Sequence, residues 1–521
     1  MIGHNGERQL VCRTRRTSTA ICTVLTMTVA GFAASGAFAA SGDMAEHCTG
    51  LAGQAIGKSQ IDTAEVVAAT DTVPEYCSLA VTIPSEDIHY GLRLPFDWNG
   101  KTYMSGVGGF QGQIKPPTDF ALAGGYVDYA TDSGHSTEDP RAAFVADFAL
   151  GNDRAILNFA YESYYQVAVE VEEIVADWYG KAPKRSYFQG CSGSGRIALV
   201  MAQRYPDLFD GIIAGAPAPN FVGDMLLSLT MAQASLAEPG GAMTEQRAQA
   251  ITSYVAAKCD ALDGLEDGIV SNPRACDVPV GQLQAELRLT DAETNVVKAM
   301  TTPIRLPNGA FVSNAFHLTG NESGTGNNWW YWLAPTDDEG TNNVYKMFGQ
   351  ALTRNWLVGD PNADPLEFEI ADYANEIAQV SRLLDAWPAD LTGLEEAGGM
   401  LIIWNGYADP IVSYQDVSAY YEDAVASVGG ADEAADVARF YGLPGVLHCG
   451  GGVGPSTVDW LAALDDWVEN DVSPDTVAVT GAAPDGESSI SRPLCAYPSF
   501  PRYKGEGEGA DPASFECVMP N

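Results

Sequence analysis

A chain of 521 residues is too long for one ordinary domain, and its 46% apolar content supplies at least one large core. Its 28 Lys and Arg stand against 68 Asp and Glu, a net charge of -40, which excludes a nucleic-acid partner, because such recognition needs a basic footprint to displace phosphate counterions. Substrates are expected to be neutral, or anions met by a local Arg. At the start of the chain, Arg8, Arg13, Arg15 and Arg16 precede an apolar run from about Ala20 to Phe38 that Ala37-Phe38-Ala39 closes, the pattern of an export signal cut after Ala39. A transmembrane anchor is the alternative, but Thr and Gly interrupt the run, which is shorter than the roughly 20 apolar residues of a span. No later segment is long and apolar enough, so no membrane partner is expected. The Arg15-Arg16 pair leaves general and twin-arginine export both open, and either route gives a secreted or periplasmic protein. Loss of residues 1–39 removes four Arg and one Glu, leaving 24 basic against 67 acidic residues and a net charge of -43.

From Tyr76 to about Ala216, short β-branched or aromatic runs alternate with amphipathic stretches, the rhythm of a parallel sheet covered by helices. Lys101 to Gly106, Gly125 to Thr131, Arg185 to Gln189 and Gly211 to Ala216 are predicted strands. Val167, Val169, Val171, Ile174 and Val175 fall near helical spacing between Tyr161 and Tyr179, as a covering helix requires. The rhythm stops at about Pro219, gives way to acidic helices, Gly/Asn loops and a Trp cluster, and resumes at Met400 to Trp404. It continues with a helix over Asp416 to Val428, a strand over Ala438 to Tyr441, a helix over Val458 to Glu469 and a loop around Lys504 to Gly509. The predicted organisation is therefore a signal at 1–39, a core at 40–218, an inserted domain at 219–398 and the rest of the core at 399–521.

Of ten cysteines, Cys12 and Cys22 lie in the signal, leaving Cys48, Cys77, Cys191, Cys259, Cys276, Cys449, Cys495 and Cys517, an even set in an oxidising compartment. Four disulfides are expected, and eight cysteines permit 105 connectivities.

The strand at Arg185 runs into Gly190-Cys191-Ser192-Gly193-Ser194-Gly195, followed by a predicted helix over Arg196 to Arg204. A sharp strand-to-helix turn strains its central residue and needs small neighbours, so Ser192 would project as a nucleophile. A glycine-rich turn or phosphate loop without catalysis stays open on this hexapeptide alone. The usual turn has Gly where this chain has Ser194. His448, in Leu447-His448-Cys449-Gly450-Gly451-Gly452 ahead of the last long helix, is the candidate base in the chain order Ser, Asp, His. Asp409, in the loop that follows Leu401 to Trp404, would hold the tautomer of His448 and stabilise its imidazolium. Asp416 and Asp423 compete, but their helical positions read as solvated charge. Backbone N–H groups of Gly193 and of Gly108 or Gly109, within Ser105-Gly106-Val107-Gly108-Gly109-Phe110, are the candidate oxyanion hole. These parts predict an α/β-hydrolase core with a large inserted lid domain.

Cys191 beside the candidate nucleophile and Cys449 beside the candidate base, within His448-Cys449-Gly450-Gly451-Gly452, resemble the tannase and feruloyl esterase family. The resemblance spans nearly all of the chain after the signal, through Trp98-Asn99-Gly100-Lys101, Thr131-Asp132-Ser133-Gly134-His135, Ser186-Tyr187-Phe188-Gln189-Gly190-Cys191-Ser192, Gly398-Gly399-Met400-Leu401, Pro444-Gly445-Val446-Leu447-His448-Cys449 and Arg492-Pro493-Leu494-Cys495. The family commonly reads Gly-Cys-Ser-Thr-Gly-Gly, whereas Gly193-Ser194-Gly195 follows Ser192 here. The resemblance implies a bridge between Cys191 and Cys449, a structural or substrate-facing role for His135, and activity on esters of aromatic acids such as hydroxycinnamoyl, galloyl or hydroxyethyl terephthalate esters. A peptidase or lipase on the same core, and a catalytically inactive binding protein with a spoiled elbow, are the other classes.

Between Cys259 and Cys276, Asp260, Asp263, Glu266 and Asp267 crowd hard oxygen donors into one loop, which suits Ca²⁺. An EF-hand is excluded, because Leu265 occupies the third place from Asp263 and no Glu occupies the twelfth. An acidic solvated loop is the alternative. The resemblance implies a structural lid calcium held by Asp260, Asp263, Asp267 and the carbonyls of Leu265 and Ile269. Asn327-Asn328-Trp329-Trp330-Tyr331-Trp332 offers surface for stacking on an aromatic acyl group through Trp329, Trp330 or Trp332, or else fills the interior of the insert. Arg354 and Arg382 are candidate partners for a substrate carboxylate. Nothing in the sequence fixes the oligomeric state.

Overall fold

The computed structural model describes residues 41–139, 141–238, 242–324, 326–334, 343–483 and 488–520, and the expected export signal lies outside them. One ten-stranded sheet carries the fold. Its strands are β1 Ala55–Ile56, β2 Ser59–Val67, β3 Tyr76–Ile83, β4 Ile88–Pro95, β5 Lys101–Ser105, β6 Val127–Thr131, β7 Arg185–Cys191, β8 Gly211–Gly215, β9 Met400–Gly406 and β10 Ala438–Leu443, in spatial order β1-β2-β3-β4-β6-β5-β7-β8-β9-β10. The edge from β1 to β4 is an antiparallel meander that pairs antiparallel with β6; from β6 to β10 every neighbour is parallel. Strands covered on both faces read as unbroken apolar runs, and Leu401, Ile402 and Ile403 of β9 are each fully buried.

Helix α1, Ser163–Tyr179, lays Tyr164, Val167, Ala168, Val171, Ile174, Val175 and Trp178 on its buried face and stops at Gly180, whose φ of 70° is the left-handed cap that glycine supplies without strain. Each aliphatic side chain so buried contributes about 1.5–3 kcal/mol. Helix α2, Gly193–Arg204, is buried from Gly193 through Ala202. The chain leaves the sheet after Gly215 and returns at Met400, directly beside β8. The described residues between them contribute no strand to this sheet. It includes α3, Phe221–Ser235, α4, Trp329–Leu333, and α5, Val344–Leu352. Gly349 lets α5 approach α3 closely, since a Cβ there would stand 3.0 Å from the Leu229 Cα. These helices share one core with the sheet, because Leu226, Leu229, Trp329 and Phe348 belong to the same buried cluster as Phe188, Leu401 and Phe440. Past β9 come α6, Tyr414–Ser427, and α7, Trp460–Asn470, then two antiparallel hairpins: Thr476–Ala482 with Ser489–Cys495, and Phe500–Tyr503 with Phe515–Val518.

Four disulfides join Cys48 to Cys77, Cys191 to Cys449, Cys259 to Cys276 and Cys495 to Cys517. Among the described residues no helix is long and apolar enough to cross a membrane.

Candidate active site

The candidate residues lie in loops that leave the carboxyl ends of β5, β7, β9 and β10, the edge where parallel sheets present their ligands. At the end of β7 the backbone turns sharply into α2, and Ser192 takes φ 63° and ψ -125°, conformational strain of the kind stored at functional turns. The Ser192 N–H donates to the Gly215 carbonyl at 3.0 Å, and its own carbonyl accepts from Arg196 N at 2.9 Å, so the turn is pinned on both sides. A Cβ at Gly190 would collide with the Ser194 carbonyl, and one at Gly195 with the Gly215 carbonyl, which accounts for glycine at both positions. Ser194 is buried, and its hydroxyl both donates to the Cys191 carbonyl and accepts from the Cys191 N–H, each at 3.1 Å. Its Cβ fills the space that a side chain on Gly106 would need. The serine in place of the usual glycine is thus accommodated by hydrogen bonds within the turn.

His448 brings Nε2 to 2.8 Å from Ser192 Oγ and Nδ1 to 2.7 Å from Asp409 Oδ2. The other Asp409 oxygen accepts from the Ile411 and Val412 N–H groups, each at 2.9 Å, and the carboxylate side chain is fully buried. A carboxylate only accepts, so His448 carries its proton on Nδ1 and leaves the Nε2 lone pair toward the serine hydroxyl. The acid and base loops hold each other through Ala408 N–H to the Val446 carbonyl at 3.0 Å, at a contact so close that a Cβ on Gly406 would collide with that same carbonyl. Cys449, at φ 58°, ties the base loop to the elbow through Cys191 with 6.1 Å between the Cα atoms.

Gly108 runs directly over the elbow, where a Cβ would stand 3.1 Å from the Ser192 Cβ and 3.4 Å from its Oγ. Gly109, at φ 62°, would collide with the Ala143 carbonyl if it carried a side chain. A Cβ at Gly193 would stand 2.5 Å from the Gly109 carbonyl oxygen and 3.3 Å from its nitrogen, so these two backbones meet beside the serine. Trp332 stands edge-on to His448 with ring centroids 6.1 Å apart and stacks on Phe348 at 5.8 Å. Phe348 in turn meets Phe110 at 5.7 Å and Phe144 at 5.3 Å. These contacts join Trp332 and Phe348, from the segment between β8 and β9, to Phe110 of the glycine loop.

The family model described as "Tannase and feruloyl esterase" matches residues 78–518. The chain belongs to the tannase and feruloyl esterase family. This carboxylic ester hydrolase is 31% identical to an uncharacterized esterase of Agrobacterium fabrum, over 95% of this chain and 97% of that one. It is 30% identical to the mono(2-hydroxyethyl) terephthalate hydrolase of Piscinibacter sakaiensis, over 88% of this chain and 87% of that one. Its fold matches the crystal structure of feruloyl esterase B from Aspergillus oryzae with a TM-score of 0.79 at 24% identity, covering 91% of this chain and all of that one.

Other predicted residues of the esterase fall in different places. Trp329 is buried, Trp330 is half-buried, and of the cluster only Trp332 reaches His448. His135 is buried against Phe148, with its Nε2 on the Phe110 carbonyl. Asp416 is not solvated, as its helical position suggested: it is fully buried and accepts from Asn220, Ser313 and Asn314, and burial pushes its carboxyl up to about 6. Asp423 accepts from Trp387 Nε1 at 2.8 Å. Arg354 donates from Nε to the Ala363 carbonyl at 2.7 Å, and the Arg382 carbonyl accepts from Arg204. Phe110, Phe144 and Phe348 were not among the sequence candidates, although Phe110 directly follows the predicted oxyanion glycines.

In the acidic loop, Asp263 is 2% exposed and accepts from Leu265 N, and burial raises its carboxyl to about 6, with Asp267 and Asp260 adding repulsion. Asp260 accepts from Asp267 N and Gly268 N; Asp267 accepts from Ile269 N and from Arg492 at 2.7 Å. Among the described residues no group of three or more His, Cys, Asp or Glu is drawn together around one point. The donor chemistry nonetheless suits a hard cation: three carboxylates repel one another in one loop, and the most buried of them has no cationic partner in its hydrogen bonds.

Proposed function

We propose that this protein hydrolyses esters of aromatic carboxylic acids through an acyl-enzyme on Ser192. The observation that carries this reading is the unbroken relay Ser192 Oγ, His448 Nε2, His448 Nδ1, Asp409 Oδ2, with both links under 3 Å. Ser192 Oγ attacks the ester carbonyl while His448 takes its proton and then gives it to the departing alcohol. Water, deprotonated by the same imidazole, releases the acid and regenerates the serine. Asp409 keeps Nε2 unprotonated before attack and stabilises the imidazolium after it. The Gly193 N–H and the Gly109 or Gly108 N–H hold the oxyanion, since these glycines border the serine. Trp332, edge-on to His448, and the half-buried Phe144 beside Phe348 put aromatic side chains next to the relay, consistent with relatives named for terephthalate and ferulate esters.

The same reading takes the protein as exported to an oxidising compartment, where its four disulfides persist. A calcium ion on Asp260, Asp263, Asp267 and the carbonyls of Leu265 and Ile269 would relieve the repulsion among those carboxylates and stiffen the loop, without part in bond cleavage.

A turnover panel tests the substrate class. Methyl ferulate, methyl gallate and mono(2-hydroxyethyl) terephthalate are expected to be cleaved well ahead of a long-chain acyl ester or a peptide, and all turnover is expected to vanish in Ser192→Ala with the fold intact. Preference for the long-chain ester or the peptide refutes the aromatic assignment, and turnover in Ser192→Ala refutes the nucleophile.

A further inference from the structure

We propose that His135 is a positioning residue for ester cleavage: by donating Nε2–H to the Phe110 carbonyl it fixes the backbone of Gly108 and Gly109 against the nucleophile. This inference rests on the reading of Ser192 as nucleophile with an oxyanion hole built on that loop.

The loop does not fix its own conformation. It carries glycine at 106, 108, 109 and 112, and Gly109, Gln111 and Gly112 have φ of 62°, 62° and 86°. Glycine backbones reach many conformations at similar energy, whereas an oxyanion donor has to be held within about 0.5 Å of its productive place. Restraint has to come from outside, and residues 133–137 supply it as a splint beside residues 110–112. The Ser133 hydroxyl donates to Gln111 Oε1, His135 Nε2 lies 2.9 Å from the Phe110 carbonyl, and Thr137 N–H donates to the Gly112 carbonyl at 2.9 Å. From the far side, Phe110 N–H donates to the Ala143 carbonyl at 3.4 Å and Tyr164 donates to Gln111 Oε1 at 2.5 Å.

The splint is itself anchored. Asp132 accepts from Gly134 N at 2.9 Å and from His89 N at 3.1 Å, which sets the turn that delivers His135. The His135 ring stacks on Phe148 at 3.6 Å and is 9% exposed, so its face is occupied by protein and not left for an acyl group. Both ring nitrogens face carbonyl oxygens, which only accept, Nε2 that of Phe110 at 2.9 Å and Nδ1 that of Ser133 at 3.4 Å, and the shorter contact places the proton of the neutral ring on Nε2. Burial lowers the affinity of the ring for a second proton, so at neutral pH it is a neutral imidazole with a fixed tautomer. The ring cannot serve as the general base, since Nε2 is committed to Phe110 and the base at Ser192 is His448.

The test compares His135→Phe, which keeps a ring against Phe148 but has no donor, with His135→Gln, whose amide nitrogen reaches close to where Nε2 stands. Removal of one oxyanion donor costs about 10²–10³ in kcat, and loosening one is expected to cost about 10-fold or more. The expected result is a kcat for His135→Phe at least about 10-fold below wild type with KM within about twofold, a parallel slowing of labelling by a fluorophosphonate, and recovery of most of the loss in His135→Gln. Wild-type kcat in folded His135→Phe, or no recovery in folded His135→Gln, overturns the proposal. Should His135→Phe fail to fold, His135→Asn, whose amide falls short of Phe110, takes its place; equal kcat for Asn and Gln overturns the proposal. Ser192→Ala run alongside separates the two readings, because turnover in that variant removes the nucleophile itself, whereas normal labelling of Ser192 with undiminished kcat in His135→Phe removes only the positioning role.

Discussion

Replacing Cys191 and Cys449 together by Ser removes the bridge between the elbow and the base loop, the longest disulfide loop among the described residues at 258 residues of sequence separation. The chain-entropy relation gives about 5.6 kcal/mol for closing a loop of that length, against about 3 kcal/mol for a loop the size of Cys259 to Cys276. Measured effects of disulfide removal reach about 5 kcal/mol and often fall below the relation, so a loss of about 3–5 kcal/mol is expected. The consequence is not confined to stability. His448 stands on a loop that runs into three glycines with φ of 134°, 72° and 97°, and the bridge at Cys449 is the covalent tie between that loop and the elbow. A misplacement of His448 by about 1 Å costs about 10²-fold in rate. Guanidinium denaturation and steady-state kinetics on the double variant measure both quantities. A double variant with unchanged denaturation midpoint and unchanged kcat refutes the reasoning, whereas loss of stability with full kcat confines the bridge to a structural role.

Asp409→Asn is expected to lower kcat about 10⁴-fold near neutral pH, because the oxygen held by Ile411 and Val412 leaves the carboxamide nitrogen facing His448 and moves the ring proton to Nε2; a loss under tenfold refutes the tautomer argument. Asp385, buried and accepting from Val222 N–H, has its carboxyl raised by burial to about 7 from 3.8. The folded state therefore binds more protons than the unfolded chain between those values, and this group contributes stability that falls as pH rises through that window. In denaturation series between about pH 4 and 8, Asp385→Asn is expected to gain on wild type as pH rises, and a constant difference contradicts the assignment. Removal of calcium by chelation is expected to lower the melting temperature while turnover at low temperature persists, with about 2.7 kcal/mol at stake when free calcium is 100 times its Kd. Asp263→Ala is expected to abolish that response, and a wild-type melt unmoved by chelator removes the metal.

Features governed by local backbone chemistry were legible in the sequence. The strand, the small-residue turn and the helix around Ser192 sit where expected, with β7 running two residues further, to Cys191, and the helix starting at Gly193. The parallel strands at 211 and 400 were readable because strands buried on both faces are continuously apolar, and those at 101, 185 and 438 through short aromatic or β-branched runs. Features set by distant partners were not legible. Asp416 occupies an ordinary helical position, and the approach of Asn220, Ser313 and Asn314, from 196, 103 and 102 residues away, makes it a buried acceptor. The packing of Ser194 depends on Gly106 across the site, and the aromatic cluster depends on Phe348, from the segment between β8 and β9, meeting Phe110. The antiparallel hairpins after Asn470 are not legible in the sequence, because Ser489–Cys495 carries Arg492 and Pro493 in its middle, residues that do not mark a strand.

The relay is tested most directly by stopping turnover of an aromatic ester in acid during the first catalytic cycle and mapping the bound acyl group by peptide mass spectrometry. An acyl mass on Ser192, absent from Ser192→Ala, is the expected result. An acyl mass on Ser194 or any other side chain, or rapid turnover with no covalent adduct at any time, contradicts it.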